Sequence, residues 1–493
     1  MATFCKVTQA HPENKGFFEC MSIKIAKSNS ILGSEMHSSN SKFQGRLDVK
    51  DSWNSRIYLS LAVLVMVLYT STILNINIEQ EVQNMSRTRT IQEAEFLAYF
   101  RYIDKHAIEK ILSQYRSTGP VGYASSLVLA RILKIKERIS SDRELSEKLS
   151  KINIYREAIG ISRHEIPAHN TFNTLRHRLG PQGFFRIHQH FVLQAHKVGL
   201  LIPPIPDLPK MVRGKIILIG DSTFLKAVAS TKGEKDQNGN WLFTDDSIAF
   251  GKPHHKHKYP VGHRAHTLIT ISGIPVASLL APANQSDQTH IMPLLRTTFT
   301  SYSKLPFACV ILDAGYDVED FHQDIYTELD LLPIIIRKPS MKWGKRLSNT
   351  GTPFCYFGYP TRRRGIEYNH GRTKFACYRS CLDSPQRLLF PCEYQNSKSR
   401  FGWMTYTYFK DDYRKKGPAV PGSRTYERLK RLRTGIERYY GLTKENRYHM
   451  EVNNTYMGHN NVLIHVIEHD IVATLDIIYE HAKTGKWSDV LNV

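Results

Sequence analysis

Three carboxylates are the residues of this sequence best placed to do chemistry. Asp221 directly follows the apolar run 215–220, and Asp313 directly follows a second apolar run, 307–312. Glu437 lies in a basic segment with helical periodicity. Two acids at the ends of adjacent strands repel each other, and a divalent cation relieves that repulsion. We therefore expect Asp221, Asp313 and Glu437 to hold two Mg²⁺ (or Mn²⁺) ions, about 3.5–4 Å apart, against phosphate oxygens.

Each acid also has an ordinary structural explanation. An acid that follows a strand commonly caps a helix or a turn. Glu437 could form an i, i+4 ion pair with Arg433 on a solvated helix. The combination favours the metal site, because two strand-end acids are followed by a helix that supplies a third. Glu427 and Glu445 are rival third ligands, but neither has the Arg and Lys spacing that Glu437 has.

Basic residues surround Glu437. On a helix, Arg433 shares a face with Glu437, and Lys444, seven residues after Glu437, returns to that face. Together with Arg438 and Lys430, these residues are expected to bind DNA phosphates.

The elements that must position the acids alternate between strands and helices. This alternation predicts an α/β fold in which a mixed sheet has flanking helices, in the order of a ribonuclease-H-like fold. Two of the strands form a hairpin about Gly273. The predicted strands are 215–220, 263–272, 274–280, 307–312 and 332–337, and the helices between them are 288–302 and 318–329.

The sequence predicts several regions around this catalytic core. Short amphipathic helices precede it, and the one at 170–179 carries Arg176, His177 and Arg178, which suggests either a helix-turn-helix-like DNA-binding domain or a plain helical bundle. The regions are an all-helical domain (85–200), the first part of the core (210–338), a β-rich or irregular insertion (339–422) and the C-terminal helices of the core (423–485).

The N-terminus differs in character from the rest. Residues 1–56 are polar and without periodicity, which favours disorder or a non-native extension. Residues 57–78 form an apolar segment long enough to cross a bilayer. The flanking charges would export the remainder of the chain, so a membrane location is not expected. We instead expect residues 1–84 to be dispensable, with the working protein beginning near Met85.

Charge and cysteine content narrow the classes of partner and compartment. The net charge of +22 favours a polyanion such as nucleic acid. Seven cysteines, an odd number, favour a reducing cytosol over a secreted disulfide framework. Cys355, Cys377, Cys381 and Cys392 could form a zinc site in the insertion, although reduced thiols without metal are the simpler interpretation.

Two further groups have competing interpretations. The run His254–His257 could bind a metal, but flanking lysines favour a solvated basic loop near DNA. Asp287 is expected to cap the helix that follows it.

Several blocks of the sequence resemble the DDE transposases of bacterial insertion sequences. These blocks are 220–223, 245–246, 262–266, 281–287 and 313–316, and the resemblance covers roughly residues 91–480. The segment from Arg433 through Glu437 to Lys444 is similar to the family's Tyr-Arg-Glu-Lys signature, but Lys430 stands where the tyrosine is expected.

This resemblance implies a function. It implies Mg²⁺-dependent phosphodiester hydrolysis at the ends of an element, followed by transesterification into target DNA. It also implies double-stranded DNA as partner, a homodimer in the DNA complex and a cytoplasmic, nucleoid-associated location. The alternative is a catalytically inactive, transposase-derived protein that binds DNA or is tethered to a membrane.

Overall fold

A computed structural model of the protein describes residues 78–486 apart from internal stretches. The stretches left out are 86–88, 116–122, 206, 238, 240, 253–259, 339, 342, 344–345, 349, 379–391 and 393–400. The described residues all belong to one compact unit. None of the helices within them is both long enough and apolar enough to cross a membrane. Of the apolar segment 57–78, only Ile78 is described.

The first half of the described chain is helical. Amphipathic spacing and local caps explain these helices, since Thr90, Asp104 and Ser141 each accept a hydrogen bond from a backbone N–H in the first turn that follows. The helices are α1 (Ile91–Tyr102), α2 (Lys105–Leu112), α3 (Tyr123–Lys136), α4 (Asp142–Lys151), α5 (Asn153–Ile159) and α6 (His169–Lys197).

The expected boundary at Met85 is wrong. Residues 78–85 are already helical, and the side chain of Ile78 is 4% exposed within the hydrophobic core. Val82 and Met85 pack against the same core. Burial of one face of this helix places residues 78–85 in the core, so the helical region begins before Met85.

Helix α6 corrects the interpretation of the helix at 170–179. The helix breaks at Gly180 (φ 57°, ψ −177°) as expected, but it resumes at Pro181 and continues to Lys197. Arg176 is fully buried, and its guanidinium lies 3.6 Å from the centroid of the Tyr456 ring. Arg176 is therefore an interior residue and cannot contact DNA, whereas His177 and Arg178 are exposed.

The second half of the chain contains the predicted mixed sheet with flanking helices. Its strands are β1 (Ile216–Lys226), β4 (Ala249–Phe250), β5 (Val261–Thr270), β6 (Pro275–Pro282), β7 (Phe307–Leu312) and β8 (Leu332–Ile335), and a separate hairpin joins β2 (Thr231–Lys235) to β3 (Trp241–Phe243). The main order is β6-β5-β1-β7-β8. β5 is antiparallel to both β1 and β6, whereas β7 and β8 continue the sheet in parallel from β1. The short strand β4 pairs with the beginning of β5.

Helices complete this architecture. Residues 216–220 of β1 are all buried, as expected for a strand covered on both faces. The hairpin between β5 and β6 turns at Gly273, whose φ of 81° suits glycine. The helices are α7 (Gln288–Ser301), α8 (Glu319–Glu328), α9 (Arg424–Lys430), α10 (Thr434–Tyr440) and α11 (His459–Thr484), and a π-helical turn, Gly441–Asn446, follows α10.

The segment between β8 and α9 contains β structure of its own. Three antiparallel strands form a small sheet in the order β9-β10-β11. They are β9 (Arg362–Glu367), β10 (Arg372–Ala376) and β11 (Met404–Tyr408). The region predicted as a β-rich or irregular insertion therefore holds a β-sheet in its described part.

The N-terminal helices and the sheet share one continuous hydrophobic core. Helix α11 joins them, because Arg131 of α3 makes a two-pronged ion pair with Glu468 at 2.7 and 2.8 Å. Both side chains are 2% exposed. Removing one partner would leave the other as an unpaired buried charge, which would lower the free energy of unfolding by about 3–5 kcal/mol.

Candidate active site

One guanidinium group lies within ion-pair distance of all three predicted acids. The Nη1 atom of Arg433 is 3.5 Å from Asp221 Oδ2 and 3.8 Å from Asp313 Oδ1. Its Nη2 atom is 2.5 Å from Glu437 Oε1. Residues more than 200 positions apart in sequence therefore converge on one point.

The sheet register brings the two aspartates together. Gly220 and Leu312 are the last paired residues of the parallel strands β1 and β7, and Asp221 and Asp313 come next. Adjacent strands lie about 4.8 Å apart. A Cβ atom on Gly220 would lie 2.7 Å from Leu312 Cδ2, so glycine is the residue that allows this close packing.

The position of Asp221 within its strand differs from the expectation. Asp221 does not end β1, because Ser222–Lys226 continue the strand and pair with β5 as far as Lys226↔Gly262. The apolar run ends at Gly220 because the parallel partner β7 ends there. Beyond that point the strand has β5 on one side and the acidic site on the other.

The helix that bears Glu437 presents Arg433 and Glu437 on one face, as their spacing of four predicts. A 3₁₀ turn, Arg431–Arg433, leads into α10, and the salt bridge between Arg433 and Glu437 spans that junction. Their side chains are 20% and 55% exposed. The site is thus exposed to solvent on the Glu437 side.

Tyr440 is a site residue that the sequence interpretation missed. Its hydroxyl donates a hydrogen bond of 2.9 Å to the backbone carbonyl of Asp221. The position was detectable, since Tyr440 lies three residues after Glu437 and so near it on a helix. This contact fixes the backbone of Asp221 relative to α10.

The pKa of the Asp221 carboxyl is raised by its burial and by the acids around it. Burial raises the pKa of Asp221 to about 6, and the charges of Asp313 and Asp287 act in the same direction. The Ser222 N–H, 2.8 Å from Asp221 Oδ1, and the Arg433 guanidinium oppose this rise. The pocket therefore favours a positive charge beside Asp221.

Asp287 does not cap its own helix, which corrects the expectation for this residue. Its side chain makes no hydrogen bond to the first turn of α7. Instead its carboxylate accepts hydrogen bonds from Ser222 Oγ at 3.0 Å and from Arg264 Nη1 at 3.2 Å. Asp287 therefore contacts the residue next to Asp221.

The other predicted phosphate-binding residues lie along the same helical segment. Lys444 falls in the π-helical turn and pairs with Glu451 at 3.1 Å. Lys430 lies 3.9 Å from Glu427, and Arg438 donates to Thr434 Oγ1 at 3.0 Å. The wider π-helical turn alters the rotation per residue that a continuous α-helix would give to Lys444.

The donor chemistry of the site fits a hard divalent cation. Three carboxylates contact the same guanidinium, and carboxylate oxygens are the ligands that Mg²⁺ prefers. Within the described part of the chain, no three His, Cys, Asp or Glu side chains lie close enough together to hold an ion. In this arrangement the guanidinium of Arg433 contacts the three carboxylates.

The zinc hypothesis concerns the insertion. Cys355, Cys377 and Cys392 are buried there, while Cys381 lies outside the described residues. The run His254–His257 also lies outside the described residues. Both metal interpretations therefore stay predictions.

The comparisons with known proteins define the class. Residues 213–464, just over half of the chain, match the transposase DDE domain family. The chain belongs to this family, and its class is that of the DDE transposases. Asp221, Asp313 and Glu437 all lie within the matched region.

The chain was also compared with solved structures and with curated proteins. Among solved structures, the chain is matched with a cryo-EM structure of a piggyBac transposase synaptic complex with hairpin DNA. The TM-score is 0.27 at 11% identity, and the similarity covers 79% of this chain and 76% of the other. No curated protein matches the sequence.

Proposed function

We propose that this transposase cleaves DNA at the ends of a mobile element and joins them to target DNA, using divalent ions held by Asp221, Asp313 and Glu437. The observation that carries the proposal is the convergence of the three acids on Arg433. The acids come from β1, from the residue after β7 and from α10. A structural ion pair requires one acid, whereas three acids around one point suit a site for cations.

Each residue has a role that follows from its position. Asp221 and Asp313 supply negative charge from adjacent strands, and Glu437 supplies it from the open side. Two bound divalent ions would activate the attacking oxygen and stabilise the leaving oxygen of a phosphodiester. Arg433 positions a phosphate oxygen beside the acids, and Tyr440 holds the backbone of Asp221. Lys430, Arg438 and Lys444 extend the phosphate-binding surface along the helical segment.

We also propose that the sheet is ribonuclease-H-like. The order β6-β5-β1-β7-β8, with three antiparallel strands followed by two parallel ones, supports this assignment. The N-terminal helices are proposed to bind the element's ends through exposed basic residues such as Arg178. Action at two ends requires at least two protomers, and we propose a homodimer that acts in the nucleoid. An origin in a bacterial insertion sequence is part of the same proposal.

The alternative, a catalytically inactive DNA-binding protein, has less support. In a protein without catalytic activity, other residues could replace the three acids without loss of function. All three acids are present, and all three contact the same guanidinium. Lys430 at the position of the expected tyrosine does not by itself favour inactivity, because Tyr440 places a phenol against the backbone of Asp221.

The test is cleavage of DNA that carries the sequences flanking the gene. Asp221→Asn, Asp313→Asn and Glu437→Gln should each reduce Mg²⁺-dependent cleavage to background and leave DNA binding nearly unchanged. Glu445→Gln is the matched control, since Glu445 is exposed nearby, and it should retain activity. Full cleavage by any of the three acid variants would remove that residue from the site.

A further inference from the structure

Two neighbouring residues at the start of α7 contact both segments that carry the strand-associated aspartates. The carboxylate of Asp287 accepts a hydrogen bond of 3.0 Å from Ser222 Oγ. The side-chain amide of Gln288 donates one of 2.7 Å to the backbone carbonyl of Gly315. Ser222 follows Asp221, and Gly315 lies two residues after Asp313.

Arg264 of β5 contacts both Ser222 and Asp287, so the three side chains form a closed triangle of hydrogen bonds. Its Nη1 atom donates to Ser222 Oγ at 3.1 Å and to Asp287 Oδ2 at 3.2 Å. The side chains of Arg264 and Asp287 are 22% and 31% exposed. A partly buried ion pair with a shared hydroxyl holds its members more firmly than one flexible contact does.

This triangle acts on Asp221 through one residue. The backbone N–H of Ser222 donates to Asp221 Oδ1 at 2.8 Å. Fixing the Ser222 side chain therefore restricts the backbone that orients the Asp221 carboxylate. On the other side, Gln288 restricts the turn Ala314–Tyr316, which directly follows Asp313.

The sheet holds Asp221 through its pairing with Thr267 of β5, but it does not fix the distance between Asp221 and Asp313. The pairing of β1 with β7 ends at Gly220 and Leu312, one residue before each aspartate. Two carboxylates beyond the last β1–β7 pair repel each other when both are ionised. A separate element that contacts both segments can keep them together.

We propose that Asp287 and Gln288 are positioning residues that set the separation of the Asp221 and Asp313 carboxylates for divalent-ion binding. This inference rests on the proposed function, because it assumes that these carboxylates hold the ions. Residues that support ligands in this way change metal affinity by about 10–100-fold when they are removed.

The experiment measures Mn²⁺ binding to the full chain without DNA, by titration calorimetry or electron paramagnetic resonance. Asp287→Ala and Gln288→Ala should each weaken Mn²⁺ binding by about tenfold. They should also raise the Mn²⁺ concentration needed for half-maximal cleavage while leaving DNA affinity unchanged. Asp287→Asn keeps an acceptor for Ser222 but loses the charge that pairs with Arg264, so its effect should be intermediate.

Matched control variants distinguish a loss of carboxylate positioning from a general loss of folding. Gln285→Ala and Asp320→Asn alter exposed residues beside α7 and in the first turn of α8, and both should bind Mn²⁺ like the unmodified protein. Circular dichroism checks that each variant is folded, and Gln288→Ala provides a second test if Asp287→Ala does not fold.

The outcomes distinguish this inference from the proposed function. Unchanged Mn²⁺ affinity in folded Gln288→Ala and Asp287→Asn, together with lost affinity in Asp221→Asn, would overturn the positioning role alone. Equal Mn²⁺ binding by the unmodified protein and Asp221→Asn would overturn both.

Discussion

Gly220 and Leu312 are the last residues that pair β1 with β7, and each is followed directly by an aspartate of the candidate site. The pair marks where the pairing of β1 with β7 ends and where the acidic site begins, while β1 itself continues beside β5. A Cβ on residue 220 would lie 2.7 Å from Leu312 Cδ2, so a larger residue there requires the surrounding side-chain ends to shift. The geometry of the two aspartates thus depends on a glycine and a leucine that take no part in the chemistry.

Arg433 should stabilise the protein when no divalent ion is bound. Arg433→Ala leaves the repulsion among Asp221, Asp313 and Glu437 unbalanced, so we expect a loss of about 1 kcal/mol in the free energy of unfolding. Urea unfolding in the presence of EDTA measures it. Arg431→Ala, an exposed change in the same segment, should have no effect, and equal stability of both variants would contradict the arrangement described.

Tyr440→Phe should impair the site without removing a charged group. The change deletes the hydroxyl that donates to the Asp221 carbonyl, at a cost of about 0.5–1.5 kcal/mol in the free energy of unfolding. We expect cleavage to slow while DNA affinity stays the same. Tyr356→Phe, at a tyrosine that is 78% exposed, is the control. A Tyr440→Phe variant with unchanged cleavage and stability would exclude the positioning role.

Asp470 should make stability depend on pH. Burial raises the pKa of Asp470 from 3.8 to about 7, even though the hydroxyls of Tyr439 and Ser278 donate to its carboxylate. Because the folded-state pKa is the higher one, this contribution is fully present below about pH 4 and is lost as pH rises through about 7. The free energy of unfolding should therefore fall over that range, by up to about 4 kcal/mol.

Chemical unfolding at a series of pH values tests this prediction. In Asp470→Asn the decrease between about pH 4 and pH 7 should be much smaller, because the amide does not ionise. Asp411→Asn changes an exposed aspartate and should preserve the slope. An Asp470→Asn protein with the same slope as the unmodified chain would show that another group is responsible.

Residues 78–85 should contribute to stability. Ile78→Ala removes a side chain that is 4% exposed, and we expect it to lower the free energy of unfolding by about 2–4 kcal/mol. A chain that begins at Met85 should lose a comparable amount. Val228→Ala, at a valine that is 58% exposed, is the control for the point variant. Full stability of the Met85–Val493 chain would restore the original expectation that residues 1–84 are dispensable.

DNA affinity should fall steeply with salt. The net charge of +22 and the basic residues near Glu437 favour many phosphate contacts. Six such contacts give a slope of about −5 in a plot of log affinity against log salt. Fluorescence anisotropy with labelled duplex DNA measures the slope. A nearly flat plot would show that phosphate contacts are not the main source of affinity.

The catalytic candidates and most of the regular elements could be predicted from local patterns in the sequence. Apolar runs followed by an acid located Asp221 and Asp313, and the spacing of four placed Arg433 and Glu437 on one helical face. The strand Phe307–Leu312 was predicted with the bounds that the structure gives. These features are local, because hydrophobic periodicity and helix geometry act over a few residues.

Tertiary structure decided the contacts that cross the fold. Arg176 has the composition of a DNA-contacting residue, yet it is buried because α11 and Tyr456 pack over it. Asp287 has the position of a helix cap, yet Ser222 and Arg264 compete for its carboxylate. The close approach of Asp221 to Arg433 depends on the parallel register of β1 with β7 and on the docking of α10. Burial and long-range pairing depend on residues hundreds of positions away, so no local pattern could have specified them.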